Sequence, residues 1–133
     1  MKNAKLKLNT VEEIIGYLIR RKIKSRPNSS IAGLAREITK KNDRSNFNKR
    51  LLGGNLNIYL MTISETLKTD FYAIYSLKLK KFNHDITADE REGLYCIDKL
   101  MTGVATLDEQ NIILDKLLNY LDKLSKKSIR YSF

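Results

Sequence analysis

Residues 30–54 read SIAGLAREITKKNDRSNFNKRLLGG, and this stretch predicts two short helices joined by a polar turn. In the first half, apolar residues recur at helical spacing. They are Ile31, Leu34, Ala35 and Ile38. Ser29 or Ser30 can cap the first free amides of this helix, whose apolar face would lie against the rest of the domain.

The second half of the stretch predicts a helix with a polar outer face. Asp43 can serve as N-cap, and Phe47 and Leu51 lie one turn apart facing inward. Gly53 and Gly54 supply the left-handed conformation that ends a helix. The outward-facing residues are Arg44, Asn46, Asn48 and Lys49. Because Asn, Arg and Lys side chains hydrogen-bond the edges of adenine and guanine, and an α-helix fits the major groove, this face suits a helix that reads DNA.

The composition places the chain among globular proteins of one domain, or of a small domain with an appended helical piece. It has 133 residues, of which 42% are hydrophobic and 30% charged, with one Pro and six Gly. No apolar run approaches the roughly 18 residues that span a bilayer, and the N-terminus lacks the apolar stretch of a secretory signal. We therefore expect a cytoplasmic protein with no membrane partner.

The residue types that carry most catalytic and metal chemistry are scarce. Cys96 and His84 are each the only residue of their kind, so an internal disulfide or a thiolate metal cluster is excluded within one chain. We expect Cys96 to be a buried apolar residue and His84 a solvent-facing loop residue. Gly53-Gly54 is not followed by the Lys-Ser or Lys-Thr of a phosphate loop. The sequence therefore predicts no enzyme activity, no metal, no cofactor and no small-molecule ligand.

Charge is distributed unevenly along the chain. Residues 1–81 hold 18 basic and 6 acidic residues, a net charge of +12, whereas residues 82–133 hold 7 basic and 9 acidic residues, a net charge of −2. A strongly basic segment indicates a nucleic acid or another anionic surface as partner, because neutralising phosphates releases condensed counterions. We expect the C-terminal segment to serve another purpose.

The remaining helices are predicted from caps and periodicity. Residues 1–9 form a short basic arm, and a capping box of Thr10 and Glu13 starts the first helix at Val11. That helix runs into RRKIKSR before Pro27, a cationic run that is either a solvated face or a contact to backbone phosphates. Residues 58–69 predict a fourth helix. Residues 71–81 predict a fifth, started by Thr69 or Asp70, although SLKLK also allows a short extended piece.

Two amphipathic helices follow the linker at residues 82–86. Capping boxes of Thr87 with Glu90 and of Thr106 with Glu109 open them, and Gly103 closes the first. A three-residue connection implies an antiparallel hairpin, whose apolar stripes must pack on the first domain, on a second copy, or on both. The residues expected to support dimerisation are Leu94, Ile97, Met101, Ile113, Leu117, Leu121 and Leu124.

Residues 11 to about 81 resemble the helix-turn-helix domains of the lambda repressor and Cro type. In that family the second helix carries a leucine-alanine pair like Leu34 and Ala35, and the recognition helix begins with serine or asparagine, as at Ser45 and Asn46. The turn TKKND is about two residues longer than the family's, and Thr39 stands at the family's usual glycine.

The resemblance implies residue roles in binding double-stranded DNA. The residues implied to face bases are Ser45, Asn46, Asn48 and Lys49. With the cationic run and the turn included, the residues expected at phosphates are Arg20, Arg21, Lys24, Arg26, Ser29, Ser30, Arg36, Lys40, Lys41 and Arg44.

The sequence thus predicts an all-α protein. A five-helix, lambda-repressor-like helix-turn-helix domain occupies residues 1–82, and a C-terminal antiparallel helical hairpin, expected to be the dimerisation element, occupies residues 83–133.

The leading functional expectation is a homodimeric transcriptional repressor that reads the major groove with residues 44–52. The alternative is an interaction protein, such as an antitoxin or phage-type inhibitor, that presents the same basic face to an acidic protein. Binding of single-stranded RNA is less favoured, because few aromatic residues accompany the basic cluster.

Overall fold

The computed structural model describes residues 8–25, 33–34, 36 and 59–127, and within this part the chain is helical and contains no strand. Five helices have defined bounds: α1 (Val11–Ser25), α2 (Leu60–Leu67), α3 (Ala73–Leu79), α4 (Ala88–Met101) and α5 (Leu107–Lys127). For the described residues, the expectation of an all-α protein is confirmed. Of the predicted turn and its two helices, the described residues include only Gly33, Leu34 and Arg36, which are helical. The rest of that segment lies outside the described residues.

Helices α4 and α5 begin where the sequence predicts, because both capping boxes form. At α4, the Glu90 backbone N–H donates to Thr87 Oγ1 at 3.1 Å, and the Thr87 N–H donates to the Glu90 carboxylate at 2.9 Å. At α5, the Glu109 N–H donates to Thr106 Oγ1 at 3.2 Å, and the Thr106 N–H donates to Glu109 at 3.0 Å. Each box satisfies two amide groups that have no partner within the helix.

Helix α1 also starts at the predicted residue, with a variant of the same cap. The Glu13 N–H donates to Thr10 Oγ1 at 3.2 Å, as in a capping box. The returning bond comes from one residue earlier, because the Asn9 N–H donates to Glu13 Oε1 at 3.2 Å. The first turn of α1 is therefore anchored to the residues that precede it.

Helices α2 and α3 are shorter than their apolar patterns predict. After α2, Lys68 adopts a left-handed conformation with φ of 52° and ends the helix. The chain then turns, with the Phe71 N–H bonded to the Thr69 carbonyl at 3.0 Å, so α3 begins at Ala73 rather than directly after Asp70. The alternating SLKLK segment lies mostly inside α3, so the extended alternative is wrong for it.

The buried apolar side chains form one continuous cluster that runs from Leu8 to Leu121. Helix α1 packs against α3 and α5, α3 packs against α4, and α4 packs against α5, so these four helices close a ring around the core. Buried residues of the predicted first domain thus share a core with those of the C-terminal helices. The change in charge near residue 82 is not accompanied by a break in the described core.

Candidate nucleic-acid interface

The predicted DNA-contacting residues divide between the described and undescribed parts of the chain. The predicted base-reading residues lie outside the described residues: Ser45, Asn46, Asn48 and Lys49. Six of the predicted phosphate contacts also lie outside them: Arg26, Ser29, Ser30, Lys40, Lys41 and Arg44. The structure describes Arg20, Arg21, Lys24 and Arg36. Their surroundings define the described part of the candidate interface.

Three of these cations line one pocket near the end of α1. Arg20, Arg21 and Lys24 share its wall with Tyr17, and α5 supplies the opposite wall. The pocket has a volume of about 260 Å³. The cations converge because residues three and four positions apart project from the same side of a helix. The RRKIK segment thus presents a basic concavity beside α5.

Arg21 is already engaged inside the protein. Its Nη1 lies 2.7 Å from Asp115 Oδ1, and its Nη2 donates to Asn111 Oδ1, both on α5. The neighbouring Lys22 makes a similar link, with Nζ 2.9 Å from Asp122 Oδ1. Arg21 and Lys22 therefore connect α1 to α5. Because carboxylates of the same chain already partly neutralise them, they attract a phosphate less strongly than the sequence alone suggests.

Arg20 and Lys24 keep more of their capacity for an external anion. Arg20 Nε is buried and has no hydrogen-bond partner in the described part of the chain. A buried guanidinium donor without an acceptor is costly, and Arg20 would gain an acceptor for Nε if its side chain moved toward an anion in the pocket. Lys24 is exposed beside it, and Arg36 is exposed as well. Of the four described residues predicted to contact phosphates, these three remain candidates to meet a polyanion.

The side chains predicted to support dimerisation pack within the described core of one chain. Five of them are at most 8% exposed: Leu94, Ile97, Ile113, Leu117 and Leu121. Met101 and Leu124 are partly buried against the same core. The sequence allowed the apolar stripes of the C-terminal helices to pack on the first part of the chain, on a second copy, or on both. In the structure, these helices pack on the preceding part of the chain. A second copy would reach these side chains only if α4 and α5 opened.

A second concave surface lies between α4 and α5 on their solvent side. We call it the α4–α5 groove, and its volume is about 730 Å³. Its lining residues are Ala88, Arg91, Glu92, Tyr95, Cys96, Lys99, Glu109, Ile112, Ile113 and Lys116. Tyr95 is 63% exposed and Ile112 is 58% exposed. The groove is therefore apolar at its centre and charged at its margins.

Cys96 and His84 occupy the environments that the sequence predicts. Cys96 is 3% exposed, and burial raises the pKa of its thiol, so it stays protonated and unreactive near neutral pH. His84 is exposed in the connection between α3 and α4. Neither residue contributes chemistry to the pocket or the groove beyond the packing of Cys96.

Sequence reasoning missed the partners of Arg21 and the exposed centre of the groove. No sequence pattern links Arg21 to Asn111 and Asp115, because their proximity depends on how α1 packs against α5. Tyr95 and Ile112 did carry a signal. Each is a large apolar residue beside the buried stripe of an amphipathic helix, where a polar residue is expected.

Comparison of the chain with protein-family models, with curated proteins and with solved structures gave no match. Among the described helices, none has the length and apolar character needed to cross a membrane.

Proposed function

We propose that the chain binds double-stranded DNA in a sequence-specific manner and acts as a homodimeric transcriptional repressor of the lambda-repressor and Cro type. In this proposal residues 44–52 form the recognition helix, and Asn46 and Lys49 read base edges in the major groove. The observation that carries the proposal is the position of the cations. Arg20 and Lys24 line one basic pocket at the end of α1, just before the segment whose sequence resembles a helix-turn-helix.

The distribution of charge supports the same proposal. A net charge of +12 on the first 81 residues attracts a polyanion, while the acidic residues of α5 hold Arg21 and Lys22 in place. Arg20, Lys24 and Arg36 then contact backbone phosphates, which fix the register of the protein on the duplex without reading its sequence. Two copies are required for a long recognition site, because one small domain contacts only a few base pairs.

The experiment that tests the proposal is a salt titration of binding to a labelled duplex, followed by fluorescence anisotropy. The logarithm of the association constant should fall linearly with the logarithm of salt concentration, with a slope of about −0.9 for each phosphate contacted. Lys24→Ala should make the slope shallower by about 0.9 per copy and weaken all duplexes alike. The matched control is Lys126→Ala, which removes an exposed lysine from the far end of α5 and should leave the slope unchanged.

Two outcomes contradict the proposal. In the first, the affinity does not depend on salt. In the second, random and selected duplexes bind equally while an acidic protein binds the basic face, which is the result expected of the interaction-protein alternative.

A further inference from the structure

The α4–α5 groove has an exposed apolar centre. Tyr95 and Ile112 line it above Cys96 and Ile113, which are at most 6% exposed. Lys99 Nζ lies 5.8 Å from the centroid of the Tyr95 ring, a distance at which an ammonium group and an aromatic ring attract each other. Large apolar side chains grouped on a rimmed, concave surface are typical of contact sites between proteins. The chemistry of the rim determines which partner fits.

Five charged residues line the groove. Four of them, two on each helix, alternate in sign, and the fifth is Arg91 on α4. At one end of the groove, Lys99 Nζ on α4 lies 3.1 Å from Glu109 Oε2 on α5. At the other end, Lys116 Nζ on α5 lies 3.3 Å from Glu92 Oε1 on α4. Within these two ion pairs, each helix carries one positive and one negative residue, in the opposite order to its neighbour along the groove.

This arrangement is complementary to itself under a two-fold rotation. With the axis along the groove, Lys99 meets the partner's Glu109, and Glu92 meets the partner's Lys116. With the axis across the groove, Lys99 meets the partner's Glu92, and Glu109 meets the partner's Lys116. Every one of these four charges faces the opposite sign in both cases, and the two apolar centres coincide. A symmetric dimer requires a surface that complements itself in this way.

The distribution of net charge favours the same contact. Residues 82–133 carry a net charge of −2, whereas residues 1–81 carry +12. Two copies therefore repel each other least when they meet through α4 and α5, and the basic segments of both remain free for a polyanion. An acidic partner, by contrast, would be drawn to the basic segment rather than to a rim of alternating sign.

We infer that the α4–α5 groove is the interface of a symmetric homodimer centred on Tyr95 and Ile112. This inference rests on the proposed function, in which two copies of the chain pair, and it names the surface through which they pair. Contact is made through the solvent side of the helix pair, and the leucine-rich stripe stays within the core of each copy.

The first test is sedimentation equilibrium of the full chain in the absence of DNA. The wild type should have twice the monomer mass of 15.4 kDa. Ile112→Glu should raise the dissociation constant at least about tenfold, because a carboxylate would be buried at the apolar centre. Tyr95→Glu should act in the same direction. Val104→Glu is the control, since Val104 is 66% exposed but does not line the groove. Circular dichroism checks that each variant retains its helices.

A second test uses the charges and reports the axis. Lys99→Glu alone should weaken the dimer. Lys116→Glu should weaken it in the same way. Adding Glu92→Lys should rescue Lys116→Glu if the axis runs along the groove, whereas it should rescue Lys99→Glu if the axis runs across.

A wild-type chain that is monomeric, or a dimer that Ile112→Glu and Tyr95→Glu leave unchanged, overturns the inference. A monomer whose groove binds a helix of another protein overturns it as well. Because no DNA is present, failure of this test and failure of DNA binding are separate results.

Discussion

At the scale of single residues, the carboxylates of the capping boxes make the stability of the fold depend on pH. The backbone N–H of Thr106 and the ammonium group of Lys99 both bond to Glu109 and lower its pKa from 4.5 to about 2. A carboxyl group whose pKa is lower in the folded state stabilises the fold above its unfolded pKa. That stabilisation is lost as the pH falls through the folded value.

We therefore predict that Glu109→Gln lowers the melting temperature at pH 7 and that this difference shrinks from about pH 4.5 downward and vanishes below about pH 2. Thermal melts followed by circular dichroism at several pH values measure it. Asp108→Asn is the matched control, because Asp108 is an exposed acid in the same first turn of α5 and has no part in the capping box. A difference that stays constant between pH 7 and pH 2 would contradict this account of the cap.

In the proposed function, base reading depends most directly on Asn46. We predict that Asn46→Ala relaxes the preference at one base pair of the recognition site, at a cost of about 1 to 3 kcal/mol, because an amide can bond two atoms of adenine at once. Competition gel shifts with single-base variants of the site measure the effect. Lys24→Ala is the comparison, since it should weaken every duplex by the same factor. Unchanged affinity and preference in Asn46→Ala would show that this side chain does not face a base.

At the scale of elements, the close approach of α3 and α4 depends on Gly93. A Cβ atom placed on Gly93 would lie 2.8 Å from Cδ1 of the buried Leu77. Overpacking of this kind costs about 1 to 3 kcal/mol, whereas exchanging glycine for alanine within a helix gains about 1 kcal/mol. Although Cδ1 is the far end of a side chain, Leu77 is 1% exposed and a packed core resists its movement, so we expect the steric cost to be the larger of the two.

We predict that Gly93→Ala destabilises the wild type by about 1 kcal/mol. In a Leu77→Ala background, where the obstructing side chain is absent, the same change should stabilise by up to about 1 kcal/mol. Urea denaturation of the four proteins in this cycle measures both effects. If Gly93→Ala stabilises both backgrounds equally, the contact between the two helices is looser than described.

The helices also show which features of the fold can be predicted from sequence. Thr87 and Thr106 mark the starts of α4 and α5 because a cap is a local interaction of four consecutive residues. The turn between α2 and α3 was harder to predict, since the left-handed Lys68 carries none of the glycine signal that usually marks a helix end. Contacts such as Lys22 with Asp122 join residues 100 positions apart and depend on packing alone.

At the scale of the whole molecule, the ring of α1, α3, α4 and α5 makes the C-terminal helices part of the core. The apolar faces of α4 and α5 were predictable from their 3.6-residue period. The surface against which these apolar faces pack was not predictable, because the same faces are suited to a second copy and to α1. In the structure, Leu117 and Leu121 are buried within one chain, in which α5 packs against α1.

We predict that a fragment of residues 1–82 does not unfold cooperatively, because removing α4 and α5 exposes the apolar faces of α1 and α3 to water. The full chain should show a single transition that is the same by circular dichroism and by tyrosine fluorescence. A fragment that melts cooperatively at the temperature of the full chain would show that the first segment is an independent domain.

The central claim is that the basic segment reads a duplex sequence, and selection of bound duplexes from a random pool by the full chain tests it most directly. The account predicts enrichment of one pseudo-palindromic site whose half-sites lie about one helical turn apart, with the enrichment lost in Asn46→Ala. A selected pool with the same sequence composition as the starting pool would contradict it.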